Sequence, residues 1–223
     1  VLYAGDSDEA LRIAEKLDAH QIDLHGRTVI PGFIDAHAHL DGIGLQREAL
    51  DLSGVKSIAE LKEALRRYAE RSRGYWIFGR GWDQELFTER RWPSRYDLDE
   101  VVGDKPVILA RVCGHAAVLN TLAMKLTGLL EAEPPGVERG EDGEPTGIVK
   151  EKALEAAMAR FRETLAQRDL EEMIEAAARY AVSLGVTTIG FVSCSLSSLR
   201  TLLSLRSKGR LPVRVRVYLG PLN

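Results

Sequence analysis

Hydrophobic and polar positions along this chain follow two periods, and the periods divide it into elements. Leu2-Tyr3-Ala4 reads as a strand fragment, and Ser7 to Leu17 carries apolar side chains at helical spacing (Ala10, Leu11, Ala14, Leu17). Thr28 to Leu40 reads as extended, with Pro31-Gly32 separating a first strand from a second, more apolar one. Ser57-Ile58-Ala59-Glu60 has capping-box spacing and opens a helix that runs through Leu61, Leu65 and Tyr68 to about Arg73. Trp76 to Gly79 and Pro106 to Val112 read as strands. Ser94 caps a short helix, and Asn120 caps another that reaches Leu129. Glu131 to Thr146, dense in Pro, Gly and charge, reads as a loop, and two amphipathic helices follow over about 149–163 and 169–184. Gly185 to Val192 is then a buried strand, Leu196 to Ser207 a helix, and Val213 to Leu219 a further strand. Strand, helix and strand with short joints make a βαβ unit, which requires a parallel sheet.

Composition narrows the function classes. The 223 residues are 45% hydrophobic and 28% charged, which is too apolar for disorder. No apolar run approaches the roughly 20 residues of a membrane helix, so no membrane partner is expected. Thirty basic and 33 acidic residues leave a net charge of −3, and a nucleic-acid binder usually carries a clear basic excess. Cys113 and Cys194 are too few for a disulfide framework and point to a reducing cytoplasm. The opening Val1-Leu2-Tyr3-Ala4-Gly5 is not a signal peptide, and the missing initiator Met leads us to expect a few absent residues before it. Scarce Asn and Gln with abundant Glu, Arg and Leu point to a thermophilic source.

The chemistry-bearing pattern is His37-Ala38-His39. On a strand, residues two apart share a face, so His37, His39 and also Asp35 point the same way. Two neutral imidazoles on one face make two legs of a zinc site, with ligand bonds of roughly 2.0–2.1 Å. Alone, His-x-His is more often two ordinary histidines than a metal site.

Pro31-Gly32-Phe33-Ile34-Asp35-Ala36-His37-Ala38-His39-Leu40 resembles the first barrel strand of the metal-dependent amidohydrolase superfamily, and Ile22 to Ile30 resembles its lead-in strand from a small β-sandwich domain. Gly81-Trp82-Asp83-Gln84, Arg91 to Asp99, Cys113-Gly114-His115 through Asn120, Pro145 to Glu151 and Gly185-Val186-Thr187-Thr188 are similar to the branch that includes N-substituted formamide deformylase. The resemblance implies an α/β fold: a partial (β/α)8 TIM-type barrel (strands 1–3) with a large α+β insertion and a piece of a β-sandwich. On that reading, residues 1–30 belong to the sandwich and 31–41 hold the first barrel strand with the metal motif. Residues 42–184 are the insertion, and 185–223 carry the second and third strands, with the barrel continuing past the chain end. Active sites of such barrels lie at the C-terminal strand ends, where His37 and His39 fall. The resemblance further implies one or two divalent metals, zinc in the first place, held by these two histidines. The expected reaction is cleavage of a non-peptide or N-acyl amide-type C–N bond by metal-activated hydroxide, with a general acid protonating the leaving nitrogen. A deaminase or other cyclic C–N hydrolase, and a non-catalytic scaffold that has lost the metal, are the alternatives.

The chain departs from the family pattern because no histidine follows His115. The ligands expected from later strands, and the catalytic proton-transfer group, are absent, so this stretch is expected to be the N-terminal part of a longer protein and inactive alone. His115, Trp82, Asp83 and Glu151 are candidate substrate contacts. Their bland readings are a turn histidine, a core tryptophan with its neighbour, and a carboxylate favouring a helix N-terminus. Lys150 as a carbamylated ligand is weighed against a surface lysine. Asp35 is a candidate to orient a ligand. Cys113 and Cys194 read as small core residues. The expected partners are a small-molecule substrate and, at most, further copies of the chain as a homo-oligomer.

Overall fold

The computed structural model describes residues 1–131 and 134–220. Ala132 and Glu133, in the expected loop, and Pro221 to Asn223 lie outside the described residues. Among the described residues no helix is long and apolar enough to cross a membrane.

Residues 1–32 form one unit. It holds α1 (Ser7–Lys16), whose N-cap Asp6 accepts from the Asp8 and Glu9 amides, as the periodicity leads one to expect. The two expected strands at 2–4 and 28–30 are not formed; β1 starts only at Phe33. A strand exists through a hydrogen-bonded neighbour. Here Val29 and Ile30 are 70% and 58% exposed, without a paired strand among the described residues.

The second unit begins at Phe33. In chain order it contains β1 (Phe33–Ala38), α2 (Leu40–Glu48), β2 (Leu50–Asp51), α3 (Ile58–Arg71), β3 (Ile77–Trp82), α4 (Arg95–Asp99), β4 (Val107–Arg111), β5 (Ala116–Leu119) and α5 (Thr121–Leu126). It continues with β6 (Val137–Arg139), β7 (Pro145–Lys150), α6 (Glu151–Thr164), α7 (Gln167–Ser183), β8 (Val186–Cys194), α8 (Leu196–Ser207) and β9 (Arg214–Leu219). The strands make two sheets. A three-stranded sheet runs β1-β8-β9, parallel throughout, and a six-stranded mixed sheet runs β2-β3-β4-β5-β7-β6. The β8-α8-β9 connection is the βαβ unit read from the sequence. The six-stranded sheet lies in sequence between β1 and its neighbour β8.

Each sheet has its own core. Ala38, Ile189 and Phe191 from the three-stranded sheet pack with Leu40, Ile174, Ala177 and Leu202 from α2, α7 and α8. Helices α2 and α7 approach so closely at Gly44 that a Cβ there would sit 2.2 Å from the Met173 carbonyl oxygen. In the six-stranded sheet successive residues of β4 alternate between two cores. Val107 and Leu109 join Leu61, Leu65 and Trp82, while Ile108 joins Leu119, Met124 and Phe161. Ser57, Ser94 and Asn120 cap their helices as read, Ser195 caps α8 as well, and at Ser94 the box is closed reciprocally by Asp97.

Three differences from the sequence reading stand out, two of them caused by strand pairing and the third by a glycine turn. Helix α6 starts at Glu151 rather than 149, because Val149 and Lys150 pair with Ala117 and Ala116 of β5, a strand that the periodicity does not announce. The expected loop contains β6, which returns through a turn at Gly140 to Glu144 and pairs with β7. Helix α5 ends at Leu126, short of Leu129, where Gly128 turns the chain at φ +72°. In the first two cases strand pairing with a distant partner overrides the local preference.

Candidate metal centre and adjoining cleft

Strand β1 ends in the His-x-His pattern, and its pairing with β8 is irregular there. Asp35 lies opposite Ile189 and Ala38 opposite Phe191, so β1 spends one residue more than β8 over this stretch, a bulge. The Asp35 carboxylate accepts from the His37 backbone amide at 3.0 Å, closing the bulge locally. Asp35 thus acts on the backbone that carries His37. Beyond the bulge, Ala38 and Leu40 are buried while His37 and His39 face outward. The two imidazoles meet edge to face, 5.5 Å between ring centroids and 79° between planes. His39 is also the N-cap residue of α2, yet its ring makes no capping hydrogen bond. Among the described residues neither imidazole has a hydrogen-bond partner. Two free ring nitrogens at one strand end fit two positions of a divalent metal site. Among the described residues no group of three or more His, Cys, Asp or Glu side chains is gathered that would complete such a site.

His39 opens onto a cavity of about 450 Å³ lined also by Asp41, Arg162, Glu163, Ser193 and Ser197. Ser193 stands at the C-terminal end of β8 with φ +54°, in the register irregularity between β8 and β9. Next to it Cys194 is buried; burial, reinforced by the Asp41 carboxylate, pushes its thiol pKa up to about 11. Cys194 is a core thiol, as the sequence suggests.

The other candidates gather at one end of the six-stranded sheet. His115 sits at the β4-β5 turn; its carbonyl accepts from the Glu151 amide at 3.0 Å, and its Nδ1 is 3.6 Å from Glu151 Oε2. Glu151 is held at φ +47°, a left-handed conformation that a non-glycine residue adopts at a cost. These two residues line a cleft of about 250 Å³ with Glu155, Met158 and Arg162. Arg162 therefore borders both the His39 cavity and the His115 cleft.

The remaining candidates are committed elsewhere. Trp82 is fully buried, donates from Nε1 to the Leu109 carbonyl at 2.8 Å and packs on Phe87 and Trp92, so the structure makes it a core residue out of reach of a ligand. Asp83 pairs with Arg111 at 2.7 Å. Lys150 pairs with Glu138 at 2.7 Å and lies over the Trp92 ring. Cys113 is exposed rather than core. Partial burial works against its thiolate, but the Arg111 guanidinium and the His115 and Ala116 amides outweigh that and lower its pKa. Sequence reasoning missed Arg111, Asp41 and Arg162. Of these only Arg162 had a legible signal, since 151, 155, 158 and 162 fall on one helical face.

Residues 21–221 match the sequence profile of the amidohydrolase family. The chain belongs to the amidohydrolase family. Among solved structures, this amidohydrolase chain is similar to an uncharacterized metal-dependent hydrolase from Pyrococcus furiosus, with 43% identity and a TM-score of 0.84 over 98% of this chain and 44% of that one. A second such hydrolase, from Pyrococcus horikoshii OT3, is 38% identical with the same TM-score of 0.84 over 98% of this chain and 42% of that one. N-substituted formamide deformylase of Arthrobacter pascens is 29% identical over 96% of this chain and 41% of its own length. The Arabidopsis thaliana protein LONG AFTER FAR-RED 3 is 36% identical over 76% of this chain and 30% of its own. The amidohydrolase chain thus spans less than half the length of each of these relatives.

Proposed function

We propose that the protein is a metal-dependent hydrolase of an amide-type C–N bond in a small molecule. In this reading β1, β8 and β9 are the first three strands of a (β/α)8 barrel, and residues 42–184 form a domain inserted between the first two. The observation that carries the reading is the pair of outward-facing, unpartnered imidazoles at the C-terminal end of β1, set beside a parallel β8. His37 and His39 would hold a divalent metal, zinc by the chemistry of the donor set, with one or two ions per chain. A metal bound there supplies Lewis acidity and lowers the pKa of water toward ~7. The chain's own residues do the rest of the local work. Asp35 fixes the backbone of His37 through the bulge. The cavity beside His39 admits the substrate, and His115 with Glu151 contacts its distal part. The kinship with a deformylase of N-substituted formamides supports an amide as the bond attacked.

Metal analysis of the protein expressed from its complete reading frame tests this. One or two metals per chain are expected, lost in the His37→Ala/His39→Ala double variant while the fold is retained. Full metal retention in that variant, or none in the wild type after reconstitution, overturns the reading.

A further inference from the structure

We propose that Arg162 is the specificity-determining residue of this site and selects substrates bearing an anionic group, such as a carboxylate, remote from the bond cleaved. The proposal rests on the hydrolase reading above and adds the class of substrate to it. Helix α6 begins at the His115 turn and ends at Thr164. Glu151, Glu155, Met158 and Arg162 recur at helical spacing along one of its faces, over about 16 Å of axis at ~1.5 Å per residue. That face lines the His115 cleft, and its last member also lines the cavity that contains His39. The two spaces therefore meet at Arg162.

The charges around this junction are largely taken up. Glu151 faces His115, Glu163 pairs with Arg160 at 2.9 Å, and Asp41 accepts from the Gly42 amide and the Ser198 hydroxyl. Among the described residues Glu155 is the carboxylate of this face without an ion-pair partner. Histidines aside, Arg162 is the one cationic side chain lining either space, and among the described residues it has no hydrogen bond or ion pair. A guanidinium left in this state presents a planar fork of donors matched to a carboxylate. A substrate whose reacting group lies beside His39 and which runs on toward the His115 cleft would pass this fork, where an anionic group along its length would be held.

The test uses two hydroxamates of equal length, which bind hydrolytic metals. One ends in a carboxylate (4-(hydroxycarbamoyl)butanoate) and the other in a methyl group (pentanohydroxamate). Binding is read by calorimetry on the metal-loaded protein from the complete reading frame. Wild type is expected to prefer the carboxylate probe by roughly tenfold, the size of one charge-assisted hydrogen bond. Arg162→Gln abolishes that preference with the methyl probe unaffected, and Arg162→Lys keeps part of it. Equal affinity in wild type, or a preference that survives Arg162→Gln, overturns the assignment. Failure of both probes on a metal-loaded protein overturns the hydrolase reading itself, and the assignment falls with it.

Discussion

A Cβ added to Gly190 would lie 2.2 Å from the carbonyl oxygen of Ala36, the residue that opens the bulge in front of His37. The close approach of β8 to β1 at this point is what seats the bulge, and the bulge aims the first histidine. Gly190→Ala must push the strands apart. We expect a loss of about 1–3 kcal/mol in stability, as for other overpacked sites, together with weaker metal retention. Thermal unfolding and metal titration of the variant measure both, and an unchanged metal affinity would detach Gly190 from the site.

Trp82 separates a packing role from a substrate role. Phe in its place keeps most of the apolar volume but removes the Nε1 hydrogen bond to the Leu109 carbonyl, at a cost of about 0.5–1.5 kcal/mol. Alanine should cost about 3–5 kcal/mol. Denaturant unfolding gives the numbers. Activity per folded molecule is expected to stay at the wild-type level in Trp82→Phe, and a selective fall in kcat would return Trp82 to the substrate contacts.

The two thiols should titrate apart. Arg111 and the His115 and Ala116 amides lower the pKa of exposed Cys113, whereas burial holds Cys194 at about 11. Alkylation near pH 8 is expected to modify one thiol per chain quickly and the second only after unfolding. Cys113→Ser should abolish the fast phase. Two fast thiols in the native protein would contradict the buried placement of Cys194.

Acid should weaken the segment around α4. Burial works to raise the Asp97 carboxyl, but two bonds from Arg91 at 2.8 Å, with the Ser94 amide and hydroxyl, outweigh it and lower the pKa. The folded state therefore binds this proton less tightly than the unfolded chain. Its stabilisation is present above the ordinary carboxylate value of about 3.9 and is lost as pH falls through the lower, folded value. Asp97→Asn is expected to cost about 2–3 kcal/mol at neutral pH and to flatten the acid limb of a stability-against-pH curve. An unchanged acid limb would assign that loss to other carboxylates.

Much of the site was legible because its signals are local. The caps at Ser57, Ser94 and Asn120, the helix at 196–207 and the spacing of His37 and His39 depend on residues a few positions apart, where 3.6- and 2-residue periods operate. His115 and Glu151 were legible as separate motifs, but not as neighbours. What joins them is the pairing of β5 with β7, and that pairing also forces Glu151 into the left-handed region and moves the start of α6. The placement of β8 beside β1 across the whole six-stranded sheet, the bulge before His37, the burial of Trp82 and the meeting of two spaces at Arg162 are likewise tertiary. The sequence by itself thus determined most of the helices, several of their caps and the spacing of the two histidines proposed to hold a metal, but not α2 at Leu40–Glu48. Only the tertiary structure decided which strands adjoin, which candidates reach solvent and where the charges find partners. The reason is physical: helix periodicity and capping are settled within a turn of chain, whereas strand register and burial depend on partners that the local sequence does not contain.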